Sequence, residues 1–294
     1  MKKILTLGAV FVVTSSLMAK VSTVLPYIAT IDYGNDSTKS VKDRATLFGI
    51  HASQGDLSHL VEIDYSHIKT KYKDRAITDL SQDDISLAYG KYFPKFMYKV
   101  GLHYISTNDD QLNNAIVAIT SVGGYKYIGY YDKVSYGLEG YYSYYKDGHD
   151  ENYVAKKIGI FQATPYISYH KAINVNSANT FVVKGNFEYS SDYVKHNYAS
   201  YEVSDTLFYK KFFTTLKVYG GEMRSGVKDG GFTVYNTLDL MKRGGEVKVG
   251  YYIKPNIVAD ISYGVNKYSE YDVAGTITAD NTNSVAVASL SYSY

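Results

Sequence analysis

Charged side chains occupy alternate positions within several apolar segments of the sequence. Segment 60–66 sets Glu62 and Asp64 between apolar neighbours, and segment 181–190 does the same with Lys184 and Glu188. Because alternate residues of a β-strand point to the same face, each segment would present one apolar and one polar face. Charges on the inner wall of a channel set its ion preference. We therefore predict a lumenal wall that contains Glu62, Asp64, Lys99, His103, Glu139, Lys184, Glu188, Lys217, Glu246, Lys248 and Asp260.

Apart from the histidine, this predicted wall holds six acids and four lysines, so we expect at most a weak cation preference. An alternative hypothesis assigns the same charges to salt bridges that only stiffen the wall. Lys184 with Glu188, and Glu246 with Lys248, are the pairs closest in sequence. Both hypotheses stay open at the level of the sequence.

Histidine could add pH dependence, since its charge changes between about pH 5 and 8. His103 falls on the polar face of its segment and His51 is a second candidate, but a solvated histidine with no gating role is the simpler interpretation. The seven histidines include no HExxH spacing and the chain has no cysteine, so we expect no metal site and no cofactor.

Hydrolysis is the main competing chemistry. The sequence contains neither a GxSxG string nor a DSNG-like string that would indicate a serine nucleophile. Doublets of acids, or of histidine and acid, occur in or beside predicted loops at Asp83–Asp84, Asp109–Asp110 and His149–Asp150. Such doublets are common in solvated loops. We therefore expect no catalytic residue and no enzymatic activity.

The composition favours one large β domain. The 294 residues include 34 Tyr and 24 Gly but only 4 Pro, and no Trp. Tyrosine favours strands and suits surfaces that are apolar at one end and wet at the other, as at a lipid–water boundary. The sequence has no basic block, so a nucleic-acid partner is not expected.

The first 19 residues have the order of features that is typical of a secretory signal peptide. Lys2 and Lys3 precede an apolar run, and a cleavage-site segment with small residues ends at Ala19. We predict a signal peptide over 1–19 and a single domain over 20–294. Without the signal, 29 basic and 29 acidic residues give a formal net charge of zero, because two of the 31 basic residues fall in 1–19.

The remaining sequence alternates with a period of two and contains no apolar run long enough for a spanning helix. Short and long polar connections roughly alternate between the segments. We predict about fourteen antiparallel strands, with twelve or sixteen as alternatives, because segment 231–241 could form a loop hairpin or a further strand. The predicted spans are 23–33, 43–53, 57–70, 83–93, 96–107, 115–130, 133–146, 155–169, 179–191, 198–209, 212–223, 245–253, 256–268 and 284–294.

These strands indicate an all-β, up-and-down transmembrane barrel, because a chain without spanning helices can satisfy its backbone in lipid only by closing a sheet. The chain resembles Gram-negative outer-membrane β-barrels, with a size similar to small monomeric porins. The resemblance rests on the N-terminal segment, the alternating strands and the final SVAVASLSYSY. It implies location in the outer-membrane lipid. It also implies that the barrel-assembly machinery recognises the last strand through Leu290, Tyr292 and Tyr294.

The wall polarity favours a porin-like channel for passive diffusion of small hydrophilic solutes or ions. The first strand is predicted to start close to Lys20, so no plug domain is expected before it. An adhesin or structural barrel with an occluded lumen is the alternative, and a barrel hydrolase is a weaker one. One barrel architecture hosts many functions, so the resemblance alone does not choose among them.

Overall fold

A computed structural model describes residues 21–34, 40–74, 76–108, 114–129, 131–149, 154–193, 195–234, 239–271 and 277–294. The predicted signal peptide over 1–19 lies outside these ranges. The acidic doublet at 109–110 and the acid at 150 lie outside them as well.

The described residues form sixteen strands and one short 3₁₀ turn, Asp229–Gly231. The strands are β1 (Val21–Asp32), β2 (Lys42–Gly55), β3 (His59–Tyr72), β4 (Leu80–Tyr92), β5 (Phe96–Thr107), β6 (Ala115–Tyr127), β7 (Lys133–His149), β8 (Ala155–Asn174), β9 (Ser177–Tyr189), β10 (Asn197–Tyr209), β11 (Phe212–Arg224), β12 (Val227–Lys228), β13 (Thr233–Val234), β14 (Leu240–Lys254), β15 (Ile257–Tyr271) and β16 (Ile277–Ser293). Within the described ranges, no helix has the length and apolar character needed to span a membrane.

Fourteen of the strands in the described part of the chain close into one antiparallel barrel. Each barrel strand pairs with its neighbours in sequence, and β11 pairs with β14 because β12 and β13 form a separate two-stranded sheet. The predicted fold class and strand number are therefore confirmed, and the alternatives of twelve and sixteen barrel strands are wrong. Segment 231–241 belongs partly to the small hairpin and partly to β14.

The barrel closes through a seam between its first and last strands. The backbone of Ser22 and Tyr294 exchanges two hydrogen bonds of 3.0 Å, and Thr23 lies opposite Ser293. Because β1 pairs with both β2 and β16, neither strand at the seam has an open edge. Closure satisfies the backbone groups that lipid could not.

The first and last described residues, Val21 and Tyr294, lie at the end of the barrel where the connections are short. Three residues join β2 to β3, and two residues join β10 to β11. In the first of these turns, the Asp56 carboxylate accepts hydrogen bonds from the backbone of Ser58 and His59 at 2.7 and 2.8 Å, and these bonds hold the pKa of Asp56 below its usual range. Short turns face the periplasm and longer loops face outward, so we call the opposite end extracellular.

Alternation separates two faces on every barrel strand. On β4, Ile85, Leu87 and Tyr89 are exposed, whereas Asp84 and Ser86 between them are buried. The exposed face carries aliphatic side chains around the barrel, with tyrosines towards the strand ends, which is the outer surface of a transmembrane barrel. The exposed belt includes Phe48, Leu87, Leu102, Ile116, Leu138, Ile167, Leu216, Val247 and Ile261. The predicted location in the outer membrane is confirmed by this closed barrel and its belt.

The inner face is less polar than the sequence suggested. Strand β6 turns Val117 and Ile119 inward, and these side chains are buried together with Tyr141 of β7. A second inner cluster includes Ile105, Tyr145, Ile158, Ile160, Tyr193, Tyr198 and Leu240. Apolar side chains inside a water-filled barrel are stable only when another part of the chain covers them.

Candidate functional site

Residues 225–234, which follow β11, fold into the barrel. They contain β12, the 3₁₀ turn and β13, and we call them the lumenal hairpin. Val227 packs in the inner cluster with Val117, Ile119 and Tyr141, and Val234 packs against both inner clusters. The hairpin therefore covers the apolar part of the wall.

The hairpin turns sharply because several of its residues adopt left-handed backbone angles. Gly230 has φ 69° and Gly231 has φ 102°, while Ser225 and Asp229 adopt φ 51° and 52°. Glycine takes such angles without steric cost. Gly231 is also tightly packed, because a Cβ there would lie 2.3 Å from Cδ1 of Ile119. Both the conformation and the contact require glycine at this position.

Gln162 of β8 holds the first strand of the hairpin. Its Nε2 donates to the carbonyl of Val227 at 2.8 Å, and its Oε1 accepts from the Val227 N–H at 2.7 Å. The same amide nitrogen donates to Thr164 Oγ1 at 3.0 Å, and Thr164 donates to Asn186 Oδ1 at 3.0 Å. These side chains are buried. A polar network on β8 and β9 thus satisfies the backbone groups of Val227, as a neighbouring strand would do.

Arg224, at the end of β11, anchors the root of the hairpin. Its side chain is fully buried, with the guanidinium 5.3 Å from the Tyr193 ring centroid and 5.5 Å from that of Tyr198. Its backbone N–H donates to Glu188 Oε2 at 2.8 Å. The Tyr193 hydroxyl lies 3.2 Å from Ser225 Oγ. Cation–π contacts of this kind strengthen when they are removed from water.

His103 of β5 binds the turn of the hairpin. Its Nδ1 lies 2.9 Å from the Gly231 carbonyl oxygen and 2.7 Å from Ser86 Oγ, and its Nε2 lies 3.0 Å from Asp84 Oδ1. A carbonyl and an ionised carboxylate can only accept hydrogen bonds. The His103 ring therefore joins the Gly231 carbonyl of the turn to Asp84 and Ser86 of β4.

The second half of the hairpin reaches the opposite side of the barrel. The Phe232 ring meets the His51 ring edge-on at a centroid distance of 4.9 Å, and Lys99 Nζ lies 5.0 Å from its centroid. On the other side, Lys228 Nζ lies 3.5 Å from Glu202 of β10 and 4.1 Å from the Tyr219 ring centroid of β11. The hairpin therefore crosses the lumen from β10 and β11 to β2 and β5.

A polar cluster fastens the extracellular base of the hairpin connection. Lys42, at the start of β2, pairs with Asp239 and lies 3.7 Å from Glu270 of β15. Glu270 accepts from Ser40 Oγ at 2.8 Å, and Tyr33 meets Tyr268 edge-on at 6.0 Å beside Lys42. Asp239, the residue before β14, is thus tied to the start of β2.

Most of the residues that the sequence suggests for the wall form ion pairs with other inward residues. Glu62 pairs with Lys99 at 3.3 Å, and Lys217 pairs with Glu246 at 3.4 Å. Lys248 lies 3.7 Å from Asp260. The sequence-based pairing of Glu246 with Lys248 is therefore wrong, because cross-strand neighbours are nearer than residues two apart on one strand.

The other suggested residues have different partners. Asp64 accepts from the Tyr27 hydroxyl at 3.0 Å and lies 3.5 Å from His51. Glu139 accepts from Tyr141 at 2.7 Å. Glu188 receives the Arg224 N–H rather than Lys184, so the second sequence-based pair is wrong as well. Lys184 lines a small pocket with Glu139, Glu202 and Asp229.

A polar gap separates the hairpin from the wall formed by β11, β14, β15 and β16. The gap has a volume of about 120 Å³ and is lined by Lys217, Lys228, Asp229, Glu246, Ser262 and Asn266, among others. A smaller pocket of about 10 Å³ lies on the β7–β10 side. Lysines and carboxylates line both spaces. The hairpin thus narrows the lumen and leaves a polar space against the last strands.

Sequence reasoning did not identify several residues of this site. Gln162, Lys228, Glu202 and Asp229 all contact or form the hairpin, but none was proposed for the wall. In the sequence alone, the glycine-rich stretch 220–231 suggests part of a loop. Its pattern of Ser225, Asp229 and adjacent glycines is a turn signal, but a turn signal does not show where the turn packs.

The acidic doublet Asp83–Asp84 is split between the two faces of β4. Asp83 points outward, where it accepts from Tyr65 at 2.8 Å and lies 3.0 Å from His67 Nδ1. Asp84 points inward to His103. The contacts among Ser86, His103 and Asp84 resemble those of a hydrolytic triad, but Ser86 is only 1% exposed and the Gly231 carbonyl caps the histidine. In this arrangement the cluster holds the hairpin instead of presenting a nucleophile.

The residues suggested for assembly lie on the outer face of the last strand. Leu290, Tyr292 and Tyr294 are exposed. The rings of Tyr292 and Tyr294 stack with a centroid distance of 5.8 Å. They lie at the periplasmic end, because the last residues pair with the start of β1 beside the short turns.

No protein-family model matches the chain, and no curated protein matches it. Solved structures with the same architecture were found. The toluene transporter TbuX of Ralstonia pickettii has a TM-score of 0.51 at 6% identity, with 93% of this chain and 88% of that chain covered. The P. putida toluene transporter TodX has a TM-score of 0.51 at 9% identity, with 93% and 89% covered.

A third structure, the CymD monoaromatic hydrocarbon channel, has a TM-score of 0.50 at 7% identity, with 94% of this chain and 88% of that chain covered. The chain shares the fold of these barrels. At such low identities the likeness is one of architecture. The resemblance to outer-membrane β-barrels that the sequence suggested is confirmed at that level.

Proposed function

We propose that this protein is an outer-membrane channel for passive diffusion of small hydrophilic solutes, with the lumenal hairpin as its constriction. The observation that carries the proposal is the polar gap beside the hairpin. Lysines and carboxylates line it, whereas the apolar inner clusters are covered by the hairpin. A solute that follows the gap therefore meets charged and hydroxyl groups.

The fold neighbours named as toluene transporters and as a hydrocarbon channel suggest an apolar solute as an alternative. An apolar solute would need an uncovered apolar path. Here Val227 and Val234 of the hairpin occupy the apolar wall, and the remaining space is lined by ion pairs such as Lys217–Glu246. These contacts favour hydrophilic solutes over hydrocarbons.

Charges in the gap are nearly balanced, which supports weak ion selectivity. Lys217 is paired with Glu246, and Lys228 with Glu202. Replacing Glu246 with Gln should leave Lys217 without its carboxylate and shift the reversal potential in a salt gradient towards anions. Glu222→Gln is a matched control, because Glu222 lies at the rim and is paired with Lys195 outside the gap.

The decisive measurement is planar-bilayer recording of the refolded barrel, combined with liposome swelling. We expect discrete conductance steps, swelling with a pentose and little swelling with a trisaccharide, since the gap is narrow. Absence of steps in both the wild-type barrel and a variant with a displaced hairpin would overturn the channel proposal.

A structural barrel with an occluded lumen is the second candidate, and the reach of the hairpin from β10 to β2 favours it. This candidate predicts a different result in the same recordings. The wild-type barrel would be silent, and only a variant with a displaced hairpin would conduct.

A further inference from the structure

A groove opens on the outer face of the barrel near the extracellular ends of β11, β14 and β15. It has a volume of about 510 Å³, and its lining includes Tyr201, Arg243, Gly245, Val265 and Lys267. It faces the membrane instead of the lumen, so it is independent of the proposed channel. Outward-facing positions at this height lie near the boundary between lipid tails and headgroups.

The shape of the groove follows from missing side chains. Across neighbouring strands, the outward row runs from Tyr201 through Gly220 and Arg243 to Lys267. The next outward row towards the membrane centre runs from Val218 through Gly245 to Val265, and Gly245 leaves a space between the two valines. A Cβ at Gly245 would make only ordinary contacts, at 3.4 Å from the Lys217 carbonyl oxygen, so packing does not require glycine there.

Two irregularities in the ladder accompany the groove. The β11–β14 register shifts between Gly220 and Met223, where Gly221 has φ 101°. The β14–β15 register shifts between Met241 and Arg243. Bulges re-aim the side chains next to them. Here both bulges border the row in which Arg243 and Lys267 lie side by side on the outer face.

Arg243 and Lys267 lie directly opposite each other, and both are exposed. Like charges in this relation destabilise a sheet. Among the described residues, neither forms an ion pair with a carboxylate. The neighbouring Asp280 is bound by Lys242 and by Ser269 Oγ, the latter at 2.9 Å. The pair therefore presents two positive charges that a bound anion would stabilise.

We propose that this groove binds a phosphorylated lipid of the outer leaflet. A phosphate between Arg243 and Lys267 would remove their repulsion, and a guanidinium binds phosphate through two parallel hydrogen bonds. Below the phosphate, the space over Gly245, flanked by Val218 and Val265, would receive part of an acyl chain. The basic pair and the apolar part of the groove beneath it match an amphiphile better than a free anion.

The proposal can be tested by native mass spectrometry of the folded barrel in detergent, with phosphatidic acid as the probe. Diacylglycerol with the same acyl chains serves as the lipid control. We expect a retained phosphatidic acid adduct and no diacylglycerol adduct. The double variant Arg243→Gln/Lys267→Gln should reduce the adduct at least fivefold.

A second variant tests the groove without changing charge. Gly245→Leu fills the space over the strand and should also weaken the phosphatidic acid adduct, since the acyl chain loses its place. The control Lys126→Gln/Lys171→Gln removes two exposed outward lysines at the periplasmic end and should leave the adduct unchanged. Heat-modifiable migration on gels verifies that each variant is folded.

Three outcomes would overturn the proposal. The adduct could persist in both groove variants, it could fall equally in the control variant, or equimolar inorganic phosphate could displace the lipid. The last result would identify a site for free phosphate instead of a lipid site. None of these outcomes depends on whether the barrel conducts.

Discussion

Gln162 and Val227 exchange two hydrogen bonds inside the barrel, although 65 residues separate them. The side-chain amide of Gln162 offers one donor and one acceptor, as a peptide group of a neighbouring strand would. It therefore satisfies both backbone groups of a residue that has crossed into the lumen. This relationship fixes the depth at which the hairpin lies.

Gln162→Ala should release the hairpin. It leaves the buried N–H and C=O of Val227 without their partner, at a cost of about 1–3 kcal/mol for each group. We expect larger or noisier single-channel conductance and faster proteolytic cleavage in the hairpin. Gln54→Ala is the control, because Gln54 lies near the periplasmic end in the outward row of β2, away from the hairpin, and donates to Ser22 Oγ at 3.2 Å. Equal behaviour of the two variants would contradict the assigned role.

Gly231→Ala should displace the turn of the hairpin. The added Cβ would lie 2.3 Å from the Ile119 side chain, at a residue with φ 102°. Gly129→Ala separates the two causes, because Gly129 has φ 109° but no atom within 4 Å of the added Cβ. We expect increased conductance in the first variant and wild-type conductance in the second. A change of similar size in both would mean that backbone strain, and not the contact with Ile119, is responsible.

His103→Asn should loosen the turn of the hairpin. The His103 ring lies within hydrogen-bond distance of the Gly231 carbonyl oxygen, Ser86 and Asp84, so it joins the turn to β4 and β5. Asparagine is shorter than histidine and cannot reach all three groups, so we expect more frequent open events in single-channel recordings. His170→Asn is the matched control, because the His170 ring contacts Thr180 near the periplasmic end. An unchanged frequency of open events in His103→Asn would refute the role assigned to this residue.

Tyr294→Ser should weaken assembly of the barrel and leave the conductance of correctly inserted molecules unchanged. The stacked pair of Tyr292 and Tyr294 lies on the lipid face of the closing strand. Tyr127→Ser is a suitable comparison, because Tyr127 also lies at the periplasmic end and pairs with Tyr125. The yield of heat-modifiable barrel in outer membranes measures the effect. Equal yields of the two variants would show that the last residue carries no special assembly information.

Local alternation explains why the barrel could be predicted from the sequence. In segment 96–106, for example, each residue's face depends only on its parity, and Lys99 and His103 fall on the same side in both the prediction and the structure. The hairpin could not be predicted in this way. Its position depends on Gln162, His103 and Ile119, which come from three different strands, and no periodic pattern links them to residues 225–234.

The pairing of charges shows the same limit. Glu246 and Lys248 are near each other in sequence, but the fold sets Glu246 beside Lys217 and Lys248 beside Asp260. Partner choice is decided by the register between strands, which the sequence does not state directly. The inward apolar clusters could not be predicted for a similar reason. Isoleucine on the inner wall is favourable only when the hairpin covers it, and that contact is not visible in the local sequence.

The seam between β1 and β16 has a consequence for how the barrel can form. All the other pairs join consecutive strands of the barrel, with only the small β12–β13 sheet between β11 and β14, whereas the hydroxyls of Thr23 and Ser293 meet at 2.9 Å across 270 residues. Neighbouring strands can associate early at small entropic cost, but the β1–β16 pairing joins residues that are much farther apart in sequence than those of any other strand pair in the barrel. Until it forms, two strand edges remain unsatisfied in lipid. We therefore expect the unclosed sheet, with its two unpaired edges, to be the form of the chain that is most exposed to misassembly.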